Sequence, residues 1–245
     1  MRWPPQPLTG AKHAFNVLNM RSVDESDDRT ARARLRDAAI EVFARDGFGA
    51  TVRTIASTAQ VSPGLVIHHF GSKAGLQAEC DSHVLASLFD ANRDILTGTD
   101  AYNSFLAKLQ HAESSGTHVV YMLRAVQQGG ETARAFLERM VAESADSMRI
   151  GVANGQIRPS VDEAGRARYL TMVSIGALLL DTVMHPPPDW SDSTAILRGY
   201  IDRVAVAGTE MAVHGVLLDS AVLDAAIMAR QELLNTSEDN DDQSR

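Results

Sequence analysis

The sequence predicts an all-α protein built in two parts, and three observations carry that expectation. Apolar residues make up 44% of the 245 and aromatic residues only 5%, with abundant Ala and Leu, so the chain can bury a core without the aromatics that strands favour. Apolar positions recur at helical spacing from Arg29 to Asn235, and no strand-like alternation interrupts them. Breaks rich in Gly and Pro, such as QQGG, NGQIRPS and HPPPDW, divide the pattern into helix-sized lengths.

Charge divides the chain more sharply than composition does. Taken whole, a net charge of -8 argues against a general polyanion binder. Between Arg29 and Lys73, however, seven basic residues (Arg29, Arg32, Arg34, Arg36, Arg45, Arg53 and Lys73) stand against Asp37, Glu41 and Asp46. That local surplus of +4 leaves -12 for the rest. A basic head on an acidic body is the footprint of a protein that touches phosphates with one end, and chance clustering on a solvated face is the plain alternative. The single cysteine, Cys80, allows no intramolecular disulfide and fits a reducing cytoplasm. The longest apolar run, Ile175 to Leu180, contains Gly176 and closes at Asp181, well short of a membrane span, so a soluble cytoplasmic protein with no membrane partner is expected. Residues 1–28 lack the features of a secretory signal and read as a flexible extension within which Met20 offers an alternative start. Residues 29–75 form the head, 76–235 the helical body and 236–245 a disordered acidic tail.

The head reads as three helices. In RTARARLRDAAIEVFARDG, Ala31, Leu35, Ala38, Ala39, Val42 and Phe43 share one face while Arg32, Arg36 and Arg45 lie off it; Asp27 or Asp28 caps the start and Gly47 stops the helix. Phe48 is an apolar plug. Thr51 opens a second helix with Ile55, Ala56 and Ala59 inward and Arg53 and Thr54 outward. Ser62 caps a third, SPGLVIHHF, with Pro63 at the first helical position, and it ends at Gly71 before Ser72 caps the next. Two short helices joined by so tight a turn form a helix-turn-helix.

From about Arg34 to Leu76 the run LRDAAIEVFARDGFGATVRTIASTAQVSPGLVIHHFGSKAGL resembles the TetR/AcrR family of bacterial transcriptional regulators, in the IA of the second helix, the VS before the third and the HF-x-SK-x-x-L beyond it. Two positions depart from the pattern. Gln60 stands where a turn Gly is usual, at a place that calls for positive φ, and Ile67 stands where a phosphate-contacting Tyr is common.

Residue chemistry then assigns roles on DNA. Arg53 is suited to a bidentate bond with guanine, as the resemblance also implies. The exposed tip of the third helix is Ser62, Pro63, Gly64 and Leu65, where Gly64 permits close backbone approach and Leu65 fits a thymine methyl; with so little hydrogen-bonding reach, DNA shape carries part of the specificity. Thr51, His68, His69 and Lys73 suit phosphate contacts, although His69 serves equally well as a packing residue.

Beyond Leu76 helices are expected over Lys73–Thr97, Asp100–His111, Thr117–Gln128, Glu131–Asn154, Asp162–Met184, Ser191–His214 and Asp219–Asn235. The resemblance implies a body that binds an inducer and dimerises through two late helices. Here these hold Gly176, Ala177 and Leu180, and Ala205, Ala207 and Gly208, whose small residues allow close packing. A dimer also matches a palindromic duplex operator, because one head reads half of it. Phe89, Phe105, Tyr121, Met122, Met140, Met148, Met172 and Trp190 are candidates to line a pocket for a small apolar or amphipathic ligand, with ordinary core as the competing reading; Arg124 and Asp181 would orient that ligand or simply lie at the surface. The expected function is thus a dimeric repressor released by an inducer, against a regulator without a small-molecule ligand or an activator. An enzyme is disfavoured because HExxH, GxSxG, a phosphate loop and CxxC are all missing; Cys80 and His83 alone make a poor metal site, and neither a metal nor another cofactor is called for.

Overall fold

The computed structural model describes the backbone of residues 11–97 and 112–242 and the side chains of residues 29–90 and 115–232. Among these the regular structure is α-helical throughout, as expected: α1 (Ala11–Asp46), α2 (Val52–Thr58), α3 (Pro63–Phe70), α4 (Lys73–Thr97), α5 (Ala112–Gln128), α6 (Gly130–Ala153), α7 (Glu163–Met184), α8 (Ser193–His214) and α9 (Ala221–Asp242). The helix expected over Asp100–His111, and with it Phe105, lies outside the described residues. The chain divides into two compact units, Met1–Gly199 and Tyr200–Arg245.

The head is the trio α1, α2 and α3. Leu35, Ala38, Ala39, Val42 and Phe43 are buried on one face of α1, joined by Ile40 and Ala44, and each large side chain taken from water contributes about 1.5–3 kcal/mol. Ile55 and Ala56 of α2 are buried against α1, and Val66 of α3 is buried where that helix packs on α2 and α4. The turn between α2 and α3 follows from local chemistry. Ala59 N–H bonds Ile55 O, Val61 N–H bonds Ala56 O, and the chain reverses through Gln60 at φ 57. Gln60 therefore occupies the left-handed conformation that the sequence places there, although a side chain is disfavoured in it.

Where α1 begins differs from expectation. It is continuous from Ala11, so neither Asp27 nor Asp28 is its cap, and the segment read as a flexible extension is helical from Ala11. No Gly or Pro occurs between Ala11 and Asp46, whereas Pro4, Pro5, Pro7 and Gly10 precede it, so the backbone chemistry offers no earlier stop. The same reason applies at the other end, where α9 continues to Asp242 through most of the segment expected as a disordered tail.

In the body α5 lies against α1, and α6 packs on α4, α5 and α7. α5 starts at Ala112 rather than Thr117 and carries Gly116 inside it. A Cβ at Gly116 would stand 2.8 Å from Ser193 O, so this glycine is a point of close helix approach rather than a break. α7 is capped by Asp162, which accepts Gly165 N–H at 2.8 Å, while Glu163 accepts Ser160 N–H at 2.8 Å. By length and composition α7 is also long and apolar enough to cross a membrane, contrary to the sequence expectation, because its short polar interruptions Ser174, Gly176 and Thr182 hardly reduce its apolar character. Its apolar residues fall on two faces, with Ala167, Ile175 and Leu178 buried and Tyr169, Val173, Leu180 and Val183 exposed. In the second unit Gly215 ends α8 with its N–H on Met211 O, and Asp219 and Ser220 start α9.

Candidate nucleic-acid interface

The α2–α3 pair presents most of the residues expected on DNA. Thr51 caps α2 through Oγ1, which accepts Thr54 N–H at 3.1 Å and pairs with Thr54 Oγ1 at 2.9 Å. Two residues on, Arg53 is exposed and makes no hydrogen bond or ion pair among the described residues. Ser62 has the extended backbone of a cap but makes no capping bond with its side chain, so its hydroxyl is left for other donors and acceptors. Pro63 and Gly64 are exposed beside it and Leu65 is half-buried. Ile67, 48% exposed on the same helix, adds an apolar contact surface at the position where a phosphate-contacting Tyr is common.

Four other basic residues of the head, Arg32, Arg36, Arg45 and Lys73, are engaged within the fold, whereas Arg34 on α1 is exposed like Arg53. Arg32 donates to His69 O at 3.0 Å, pairs with Glu79 at 2.8 Å and lies over the Phe70 ring at 4.8 Å. Arg36 pairs with Asp37 and Arg45 with Asp46, both at 2.7 Å. Lys73 donates to Phe48 O at 2.6 Å and is half-buried, so its ammonium holds the α1–α2 corner. His68 is exposed, whereas His69 is half-buried and meets His68 and Phe70 edge-on. This division is invisible in residue order, because it rests on carbonyls and rings brought together only by folding.

The pocket candidates scatter. Tyr121 is fully buried, donates to Asp81 at 2.7 Å and meets Phe48 edge-on at 5.1 Å, which makes it a link between α5 and the head. Phe89, Met122 and Met140 are buried, Met148 is half-buried, and Met172 faces solvent at 63% exposure. Arg124 is half-buried: it donates to Ala44 O and Arg45 O at the end of α1, and its guanidinium lies over the Trp190 ring at 4.1 Å. Asp181 is buried and pairs with His185 at 3.2 Å. Of the dimer candidates, Gly176, Ala177 and Ala205 are half-buried while Leu180 and Gly208 are exposed. Burial pushes the Cys80 thiol well up, and no cluster of three metal-ligating side chains occurs among the described residues.

A helix-turn-helix that presents an exposed, unpaired arginine, carried on a body whose described residues are helical, is the architecture of a DNA-binding regulatory protein. Residues 35–80 match the family described as "Bacterial regulatory proteins, tetR family", and residues 113–218 match "Tetracyclin repressor-like, C-terminal domain". The chain is 38% identical over 207 residues to the HTH-type transcriptional regulatory protein RaaS of Mycobacterium tuberculosis, covering 84% of this chain and 96% of that one. Its fold is similar to that of a putative TetR-family transcriptional regulator from Rhodococcus sp., at 25% identity, a TM-score of 0.50 and coverage of 71% and 97%. It is also similar to the transcriptional regulator FadR from Bacillus subtilis, solved in complex with stearoyl-CoA, at 20% identity, a TM-score of 0.51 and coverage of 76% and 99%. The chain belongs to the TetR family of bacterial transcriptional regulators.

Proposed function

We propose that this regulator is a dimeric, cytoplasmic repressor that binds a palindromic operator and leaves it when a small apolar or amphipathic inducer enters the body. The observation that carries the operator reading is the state of Arg53. Arg32, Arg36 and Arg45 are held by carboxylates, whereas Arg53 stands exposed beside a capped helix start with its planar donors unspent. The free hydroxyl of Ser62, the exposed Gly64 and the half-buried Leu65 support a close approach of α3 to base edges, and Thr51 and His68 flank them for phosphates. Lys73 and His69 act in the head as structural residues first. The -12 outside the head is repelled by DNA, which leaves one approach, head first.

Dimerisation is supported by the exposed apolar face of α7 around Gly176 and Ala177, and this use of α7 accounts for its apolar character without a membrane. For the inducer, Met122 and Met140 are the buried, adaptable candidates, while the outward Met172 and the hydrogen-bonded Tyr121 lose support. The reading is tested by selecting duplexes from a random-sequence pool with the full chain and titrating the winner at several salt concentrations. A palindrome bound by two chains with steep salt dependence is expected. Arg53→Ala should weaken that site by about 1–3 kcal/mol and relax one base preference. Salt-independent binding, or an equal loss on every sequence, would overturn the assigned roles.

A further inference from the structure

Arg124 joins three segments that are distant in sequence. Its Nε donates to Ala44 O at 3.3 Å and its Nη2 to Arg45 O at 3.4 Å, and its guanidinium lies 4.1 Å from the centroid of the Trp190 ring. Both carbonyls belong to the last turn of α1, where a helix runs out of its own amide donors and a cation is favoured. The head's first helix is therefore capped by a side chain from the body.

The corner just past that cap is gripped a second time. Phe48 stacks on Phe43 at 4.8 Å and meets Tyr121 edge-on, and Tyr121 and Arg124 are three residues apart on one face of α5. The corner leads directly to Thr51, the cap of α2, and to Arg53. At the other end, Trp190 follows Pro186, Pro187 and Pro188, whose fixed φ angles tie its position to the end of α7. Stacking on an indole holds a guanidinium flat with its donors directed outward in the plane, an arrangement that a lysine ammonium does not reproduce.

We propose that Arg124, oriented by Trp190, is the positioning residue that sets the α1–α2 corner and so the presentation of Arg53 to DNA, which makes the loop after α7 and the DNA-binding face parts of one coupled element. The inference rests on the DNA-binding reading above. A change that moves the end of α7 is passed to the head through one stacked side chain, and by reciprocity DNA binding alters the surroundings of Trp190.

The chain has two tryptophans, Trp3 and Trp190, so a Trp3→Phe background, excited where indole but not phenol absorbs, makes Trp190 the sole tryptophan emitter. The full chain in that background is titrated with the duplex it selects from a random-sequence pool. Trp190 emission is expected to change on saturation, and the change to be lost in Arg124→Met and largely lost in Arg124→Lys, which keeps the charge and serves if the Met variant does not fold. Arg124→Met and Trp190→Leu should each weaken the duplex about fivefold or more, and the double variant should be no weaker than the weaker single one. Emission indifferent to a bound duplex, an undiminished response without the arginine, or losses that multiply would overturn the proposal. If no duplex were selected, both readings would fall together, whereas a selected duplex with an unresponsive Trp190 overturns this one alone.

Discussion

The phenolic hydroxyl of Tyr121 donates to a carboxylate oxygen of Asp81 at 2.7 Å, inside the contact between α4 and α5. Burial pushes the Asp81 carboxyl above its ordinary value, while the Tyr121 hydrogen bond and the Arg139 charge pull it back. A carboxyl that holds its proton more tightly when folded adds stability below its ordinary value and loses it as pH rises through the folded value. Tyr121→Phe removes one of the two opposing influences and leaves the buried carboxylate short of a donor. It should cost about 1–3 kcal/mol at neutral pH, and the cost should shrink as Asp81 takes up its proton. Denaturant midpoints at neutral pH and near the ordinary value of 3.8 check both statements, and a pH-independent cost would show that only ring packing was lost.

A second titration runs with the opposite sign. His83 of α4 and His118 of α5 face each other edge-on with ring centroids 5.7 Å apart, and His118 Nδ1 lies 3.0 Å from Ser87 Oγ. Burial pushes both below 6.5. For His83 the Arg36 charge adds to it against Asp37 and Glu79; for His118 the His83 and Arg36 charges add to it against Asp37. A base with a depressed folded value gives stability that is present above 6.5 and lost as pH falls through the folded value. The melting temperature should therefore fall on acidification below 6.5, and the double variant His83→Gln with His118→Gln should flatten that fall. An unchanged slope would assign the acid sensitivity to other groups.

What the sequence made legible and what it hid separate by range. The start of α7 at Asp162 could be read because what sets it is local: Asp162 and Glu163 act on amides three residues away. The turn at Gln60 could be read for the same reason, as its geometry closes through Ser57 O and Ala56 O. The start of α1 could not be read, because Asp27 and Asp28 continue a helix as readily as they cap one when no Gly or Pro follows. Arg124 could not be read either, since its partners Ala44 and Trp190 are brought to it only by tertiary packing. The outward placement of Met172 could not be read, because α7 carries apolar residues on two faces and spacing alone does not say which of them packs inward.

Gln60 gives a prediction about backbone strain. At φ 57 it is the single non-glycine residue with positive φ among those described, and its side chain is exposed. The left-handed conformation costs an L-residue about 1–2 kcal/mol, and glycine returns part of that as entropy lost on folding. Gln60→Gly should therefore raise stability by up to about 1 kcal/mol, measured as a shift in the urea midpoint at unchanged slope. A loss of stability would mean that the Gln60 side chain makes contacts worth more than the strain.

The exposed face of α7 supplies the last prediction. Tyr169, Val173, Gly176, Leu180 and Val183 follow one another at intervals of four, three, four and three residues, which places them on a single stripe. Leu180 is 64% exposed among the described residues. In a two-fold pair the same residue is buried from both sides, and each leucine contributes about 1.5–3 kcal/mol, so the pair contributes about 3 kcal/mol or more. Leu180→Asp should accordingly raise the dimer dissociation constant at least about a hundredfold. Val161→Asp is the matched control, because Val161 is 77% exposed just before α7 and lies off the stripe. Sedimentation across a concentration series should show Leu180→Asp as a folded monomer and Val161→Asp as a dimer. The monomer should also bind the selected palindrome far more weakly than the dimer while keeping the affinity for a single half-site. Identical behaviour of the two variants would remove α7 from the interface.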